Sequence, residues 1–211
     1  MVEVFATLAA TEEYADLAAA APRWTPVEDR ALASVSESVT PAGVVAVCHF
    51  LDQALPEEPR LVAICAEIRD PGNAGTVIRC ADAAGADGVV LAGDSVDPYN
   101  PKTVRASVGS LFHLPVTVEA DPGTAIRAAR DAGLQVVAAD GAGELDLFAS
   151  SDVLRAPIAW LFGNEAHGLP EELLAAADHR VRIPIHGSAE SLNLSTAAAL
   201  CLYESARAQR R

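Results

Sequence analysis

From residue 61 onward the chain alternates short, continuous apolar runs with Ala-rich segments, and this alternation restricts the possible folds more than any other feature. The apolar runs are LVAICAEI, DGVVLAG, LQVVAAD, IAWLFGNE and HRVRIPIHG. Unbroken Val, Ile and Leu suit strands buried on both faces, as in a parallel sheet. Between the runs, helices are predicted near 73–84, 101–112, 123–132, 170–177 and 191–208. Repeated strand and helix predict an α/β domain, a mostly parallel sheet with helices on both faces. The segments AAGADG and AARDAG read as helix ends that stop on a glycine in the left-handed region.

The first 50 residues follow another pattern. VEVFAT reads as a strand, TEEYADLAAAA as a helix, and VVAVCHF as a second strand after the breakers Pro41 and Gly43. The polar, twice-prolyl stretch LDQALPEEPR at 51–60 reads as a connection. The expected organisation is a small or truncated α/β region at 1–52, a linker at 53–60 and a main domain at 61–211.

Composition removes several function classes. Of the 211 residues, 51% are hydrophobic and 21% charged, so a substantial core is available and disorder is not the dominant state. Acidic residues outnumber basic ones 29 to 15, a formal net charge of -14, so any nucleic-acid binding must use a local patch. Arg23, Arg30, Lys102, Arg105, Arg127 and Arg130 offer only scattered positive charge. No apolar run reaches the roughly 20 residues needed to span a bilayer, and the acidic start does not fit a signal peptide. The sequence thus predicts a soluble, cytoplasmic protein with no membrane partner. Cys48, Cys65, Cys80 and Cys201 lie far apart in apolar segments and read as buried reduced thiols, and neither they nor the five histidines show metal-ligand spacing. No metal is expected. Dinucleotide-binding, phosphate-loop, zinc-protease and nucleophile-elbow motifs are absent.

Three segments concentrate polar residues at strand ends. In EIRDPGNAGTVIRCADAAG at 67–85, Asn73 suits a helix N-cap, and Gly75 lies one turn before Arg79, leaving room beside the guanidinium for a phosphate or ribose. The simpler alternative, favoured on spacing alone, is that Asn73 only caps and Arg79 pairs with Asp82 or another surface acid. In AWLFGNEAHGLPEEL at 159–173, Gly163 and Gly168 allow close approach of a ligand to the backbone, and Glu165 can orient neighbours; an ordinary surface loop fits equally. In the segment RVRIPIHGSAESLNLSTAAALCLYESAR, Ser191 and Asn193 either cap the long helix or meet a substrate, while Ile183 and Leu192 supply an apolar lining.

Taken in order, these segments resemble the SpoU (TrmH) family of RNA ribose 2′-O-methyltransferases of the SPOUT class, over about residues 60–208. The resemblance rests on N-x-G-x-x-x-R from Asn73 to Arg79, LFGNEAHGL from Leu161 to Leu169 and IPIHGSAESLNLS from Ile183 to Ser195. It implies a deep trefoil knot at the C-terminal end of the sheet and S-adenosylmethionine as cofactor. Leu161, Phe162, Gly163, Ile183, Ile185 and Leu192 would line the cofactor site. Arg79 would be the catalytic candidate, with Asn73, Asn193 and Ser191 holding hydroxyl and ribose groups and Glu165 orienting them. The implied substrate is RNA, ribosomal rather than transfer RNA because VEVFAT and TPAGVVAV resemble the end of the family's small substrate-binding domain. The implied assembly is a homodimer in which Arg79 acts across the interface. A noncatalytic knotted RNA-binding or ribosome-assembly module, a tRNA ribose methyltransferase and an α/β enzyme for a small metabolite are the alternatives.

Overall fold

The computed structural model describes residues 1–36, 41–51 and 53–210; residues 37–40, 52 and 211 lie outside the described residues. The chain divides into two compact units, residues 1–51 and 52–211.

In the first unit, β1 (Glu3–Ala6) is the centre of a three-stranded sheet, parallel to β2 (Trp24–Pro26) and antiparallel to β3 (Val44–Val47). Helices α1 (Leu8–Glu13), α2 (Ala15–Ala20) and α3 (Asp29–Val35) complete it. The single helix expected over TEEYADLAAAA is two short ones. Tyr14 departs from helical geometry at φ -109° and ψ 43°, which ends α1, while Thr7 accepts the Ala10 amide at its start. VVAVCHF is strand only to Val47, and Cys48 is exposed, contrary to the expected buried thiol. β2 escaped sequence reading because its three residues carry no periodicity.

The second unit contains β4 (Leu61–Ala66), α4 (Pro71–Ala84), β5 (Gly88–Ala92), α5 (Pro101–Ser107), β6 (Val116–Glu119), α6 (Pro122–Asp131) and β7 (Gln135–Ala139). It continues with β8 (Leu145–Asp146), α7 (Ser151–Leu154), β9 (Ile158–Phe162), α8 (Glu171–Ala175), β10 (His179–Arg182) and α9 (Leu194–Gln209). The seven strands run parallel in the order β6-β5-β4-β9-β7-β10-β8. Strand residues alternate between two cores. Leu61, Ala63, Cys65, Trp160 and Phe162 face α4 and α9, while Val62, Ile64, Ala159 and Leu161 join Ile126 of α6 and Leu173 of α8 on the opposite face. Burial on both faces explains the unbroken apolar runs. Trp160 Nε1 donates to Ser205 Oγ at 2.8 Å, so the one polar atom of the largest core side chain is satisfied. Burial pushes the Cys65 thiol up to about 12 and raises that of Cys201, leaving both protonated.

Several helix boundaries shift for local reasons. Asp70, not Asn73, is the N-cap of α4: its carboxylate accepts the Asn73 amide at 2.8 Å, and Pro71 takes the first helical position. Gly85 and Gly133, at φ 73° and 82°, end α4 and α6 in the left-handed region as the AAGADG and AARDAG patterns predict. The helix expected over 101–112 breaks at Val108, itself left-handed at φ 50°, and resumes as a short 3₁₀ turn, Ser110–Phe112. β6 and β8 were hidden, one because alternate residues of VTVE are polar and the other because it has only two residues.

Gly75 serves packing, not the ligand space expected from its spacing. A Cβ there would lie 2.4 Å from the Thr103 carbonyl oxygen and 2.6 Å from Ala106 Cβ, so the missing side chain lets α4 and α5 touch. Gly75→Ala is therefore expected to lower stability by about 1–3 kcal/mol in urea unfolding. Gly187→Ala, where an added Cβ meets nothing within 4 Å, should be near neutral; equal effects would remove the packing argument.

Candidate active site

Because the strands are parallel, their C-terminal ends share one edge of the sheet, where ligands of open α/β folds bind. The adjacent ends of β4, β9, β7 and β10 lead into the segments that carry the unusual polar residues. Two clefts open there. One, of about 330 Å³, is walled by Phe162 and Gly163 after β9, Asp140 and Gly141 after β7, Ile183 and Ile185 after β10, and the 190–192 loop. The other, of about 710 Å³, lies on the β4 side between Glu67, Arg69, Asp70 and Asn73 and the 164–168 loop. Asn164, Glu165, Ala166 and Gly168 line both clefts, so this loop is their common wall.

The loop is rigidly specified. Asn164 and Gly168 exchange backbone hydrogen bonds at 3.0 and 2.9 Å. The Asn164 side chain caps the Ala166 and His167 amides and donates to the Glu67 carbonyl at 2.8 Å. A Cβ on Gly163 would lie 2.3 Å from the Gly168 backbone, so no other residue fits. The close approach that suggested ligand contact at Gly163 is thus made by the loop itself. Glu67, the residue that receives Asn164, is a non-glycine at φ 60°, the kind of strained conformation that accumulates at functional sites.

Glu165 ties the three sequence segments together. Its carboxylate accepts the backbone amides of Arg69 at 3.2 Å and Asp70 at 3.1 Å, and Asn73 Nδ2 at 3.2 Å. Asn73 Oδ1 in turn accepts Asn193 Nδ2 at 3.0 Å. Asn193 Oδ1 caps α9 by accepting the Ser195 amide at 2.9 Å and the Thr196 amide at 3.4 Å. A carboxylate only accepts, so it fixes the sense of both amides and directs the whole chain towards α9. Each asparagine keeps one N–H free of this chain. Partial burial disfavours the charged carboxylate, but the hydrogen bonds it accepts, among them those from Asn73, Asp70 and Arg69, prevail and hold Glu165 below its usual range. The Asn73 amide, with Lys102 alongside, holds Asp70 low as well.

Other predicted residues take separate places. Phe162, Gly163, Ile183, Ile185, Ser191 and Leu192 line the smaller cleft, where Ile185 and Leu192 remain 38% exposed. Ile183 and Ile185 lie beyond β10, whose pairing stops before Pro184, so they are loop rather than strand-edge residues. Leu161 points the other way, fully buried among Val62, Ile64 and Ile126, and reaches no cleft with its side chain. Ser191 neither caps α9 nor joins the Glu165 chain. Arg79 lines neither cleft. It is exposed and, among the described residues, its side chain makes no hydrogen bond or ion pair, while Asp82 bonds to His113 at 3.1 Å instead. Asp140, Gly141 and Glu190 line the smaller cleft but were not anticipated. The signal was present in LQVVAAD followed by Gly141, a strand end like the others; Asp140 is engaged by Arg180 through bonds of 3.0 and 2.7 Å.

Comparisons with known proteins agree on one family. The model of the SpoU rRNA Methylase family matches residues 60–203. The chain is 36% identical over 180 residues to the Bacillus subtilis 23S rRNA (guanosine(2553)-2′-O)-methyltransferase RlmP, covering 84% of this chain and 70% of that protein. It is 40% identical over 176 residues to the Streptomyces viridochromogenes 23S rRNA (uridine(2479)-2′-O)-methyltransferase, covering 79% and 61%. Among solved structures, the SpoU methyltransferase AviRb from S. viridochromogenes in complex with AdoMet superposes with a TM-score of 0.85 at 32% identity, over 99% of this chain and 82% of that one. An AdoMet-bound rRNA methyltransferase from Sinorhizobium meliloti gives 0.79 at 34% identity, over 98% and 79%. With its three polar segments gathered by Glu165 at one edge of a parallel sheet, the chain belongs to the SpoU rRNA methylase family.

Proposed function

We propose that the protein transfers the methyl group of S-adenosylmethionine to a ribose 2′-hydroxyl of large-subunit ribosomal RNA. The observation that carries this reading is the pair of clefts with a common wall, pinned by the Glu165–Asn73–Asn193 chain. Two reactants can meet at the edge of that wall, and S-adenosylmethionine and RNA are the pair suggested by the relatives.

The smaller cleft suits the cofactor. Phe162, Ile183, Ile185 and Leu192 offer apolar walls, while the strand ends at Gly141 and Gly163 bring backbone groups to the surface. When bound, the cofactor supplies an electrophilic methyl on a sulfonium. The larger cleft then takes the ribose. An S–CH₃ bond breaks to leave the neutral thioether, an O–CH₃ bond forms, and the 2′-hydroxyl proton passes to solvent water. Asn73 and Asn193 each retain an N–H that can bind the ribose oxygen, and Ser191 offers its hydroxyl from the smaller cleft. Glu165 is a weak base, already accepting three N–H donors, so its task is to orient. Arg79 offers a planar fork of N–H donors and no acceptor, and its contribution is orientation and charge stabilisation at the reacting oxygen.

Arg79 reaches the reaction from the partner of a homodimer in this reading. Its exposure, its side chain's lack of an ion pair or hydrogen bond among the described residues and its absence from both clefts support that placement, as do the exposed Leu200 and Tyr203 one turn apart on α9. The position of β9 between β4 and β7, and of β10 between β7 and β8, suits a knotted C-terminal half. Residues 1–52 are assigned to RNA contact, 53–60 to the linker and 61–211 to the methyltransferase domain, acting in the cytoplasm.

Incubation with 23S rRNA and methyl-labelled cofactor is expected to yield label in alkali-resistant dinucleotides, the signature of a 2′-O-methyl; label in alkali-sensitive nucleotides would refute ribose methylation. Leu192→Arg should abolish calorimetric binding of S-adenosylmethionine in a folded protein. Arg79→Ala should cut turnover by roughly a hundredfold or more. Mixing it with the equally impaired Asn193→Ala should restore part of the activity through hybrid dimers, and no recovery would place Arg79 in its own subunit's site.

The lowered Glu165 carboxyl makes a pH prediction. The folded state favours the ionised form, so the stabilisation is complete above the ordinary carboxylate range near ~4.3 and is lost only as pH falls through the lowered value. Wild-type turnover should therefore show no acid limb from Glu165 between about pH 5 and 8. Glu165→Gln, which turns an NH₂ towards an Arg69 or Asp70 amide, should lose about a hundredfold across that whole range. An acid limb inside it that vanishes in Glu165→Gln would make Glu165 a proton acceptor instead.

A further inference from the structure

We propose that Arg69 is an RNA-phosphate contact held in reserve by two carboxylates, an inference that rests on the methyltransferase reading above. Arg69 lies in the segment joining β4 to α4. Its backbone amide is pinned by Glu165, the same carboxylate that orients Asn73, whereas its side chain lines the larger cleft with 58% of its surface exposed. The side chain is therefore anchored at its root and exposed at its tip.

Its present partners are exchangeable. Arg69 pairs with Glu67 at 3.2 Å and with Asp94 at 2.9 Å, and those side chains are 35% and 82% exposed. Ion pairs so open to water contribute little to stability. Release of Arg69 also strands nothing. Glu67 Oε1 still accepts the Asp94 backbone amide at 3.0 Å, and the Asp94 carboxylate returns to solvent. Arg180 is different: its two bonds to Asp140 join side chains only 33% and 19% exposed, the mark of a fixed structural pair.

The cleft creates the need for such a cation. Its other charged lining residues are Glu67, Asp70 and Glu165, with His167 also on the wall. A ribose brought there carries flanking phosphates into an acidic wall, in a chain of net charge -14. A guanidinium matches a phosphate through two parallel N–H donors, so Arg69 can exchange carboxylates for phosphate at small cost. The masking adds selectivity. An RNA that places no phosphate beside residues 67–70 meets a neutralised arginine and two acids, and is repelled.

The test is binding of 23S rRNA transcribed in vitro, measured at several salt concentrations for the full-length protein. Arg69→Ala is expected to weaken binding roughly tenfold and to reduce the slope of log affinity against log salt by about one, with calorimetric affinity for S-adenosylmethionine unchanged. Arg69→Lys, which keeps the charge, should recover most of the slope. Asp94→Asn, which removes one mask, should tighten binding by roughly two- to fivefold. Wild-type affinity and slope in Arg69→Ala, with methyl transfer intact, would overturn the inference alone. Weaker binding by Asp94→Asn would overturn it too, by making that carboxylate a support and not a mask. Failure of the wild type to methylate RNA would instead overturn the methyltransferase reading and this inference together.

Discussion

A single carboxylate holds the site together. Glu165 accepts three N–H donors, two from the backbone before α4 and one from the first turn of that helix. Because it has no proton to give, the sense of every later bond is settled: Asn73 must present its oxygen to Asn193, and Asn193 its oxygen to the start of α9. Residues separated by 92 and 120 positions are joined in this way by hydrogen bonds between side chains alone. Removal of that acceptor would leave three donors facing one another's space, which is why its effect should exceed that of an exposed glutamate.

The sheet supplies the stage for this carboxylate. Parallel pairing puts the ends of β4, β9, β7 and β10 side by side, and the loop from Gly163 to Gly168 rises between them as a partition. Its rigidity comes from contacts too close for a side chain at Gly163 and from the Asn164 bonds that bind it to Glu67. A wall shared by two clefts makes their geometries interdependent. A shift in the loop that opens one cleft necessarily moves the lining of the other.

Charge is managed locally in this chain. Its excess of acid opposes long-range attraction of RNA, and cations near the active edge are engaged by carboxylates: Arg69 by Glu67 and Asp94, Lys102 by Asp70, Arg180 by Asp140. Arg79 stands apart, exposed and with no such partner among the described residues. Recognition of a polyanion by such a surface depends on which pairs yield to phosphate, a property of exposure and of what is left behind on release.

The sequence by itself determined the layered α/β architecture, because strands buried on both faces must be apolar at every position and their helices must end on residues such as Gly85 and Gly133. It also marked the three polar segments, since Asn73, Glu165 and Asn193 stand where apolar strands stop. Only the tertiary structure decided what those residues do. Spacing cannot show that Gly75 makes room for α5 and not for a ligand, that Asp70 takes the cap assigned to Asn73, or that Leu161 faces the core opposite the cleft. Nor can it show that Arg79 ignores Asp82, four positions of chemistry being settled by which helix or strand packs alongside. Local periodicity encodes burial, whereas a hydrogen bond across a hundred residues exists only once the sheet has brought its strand ends together.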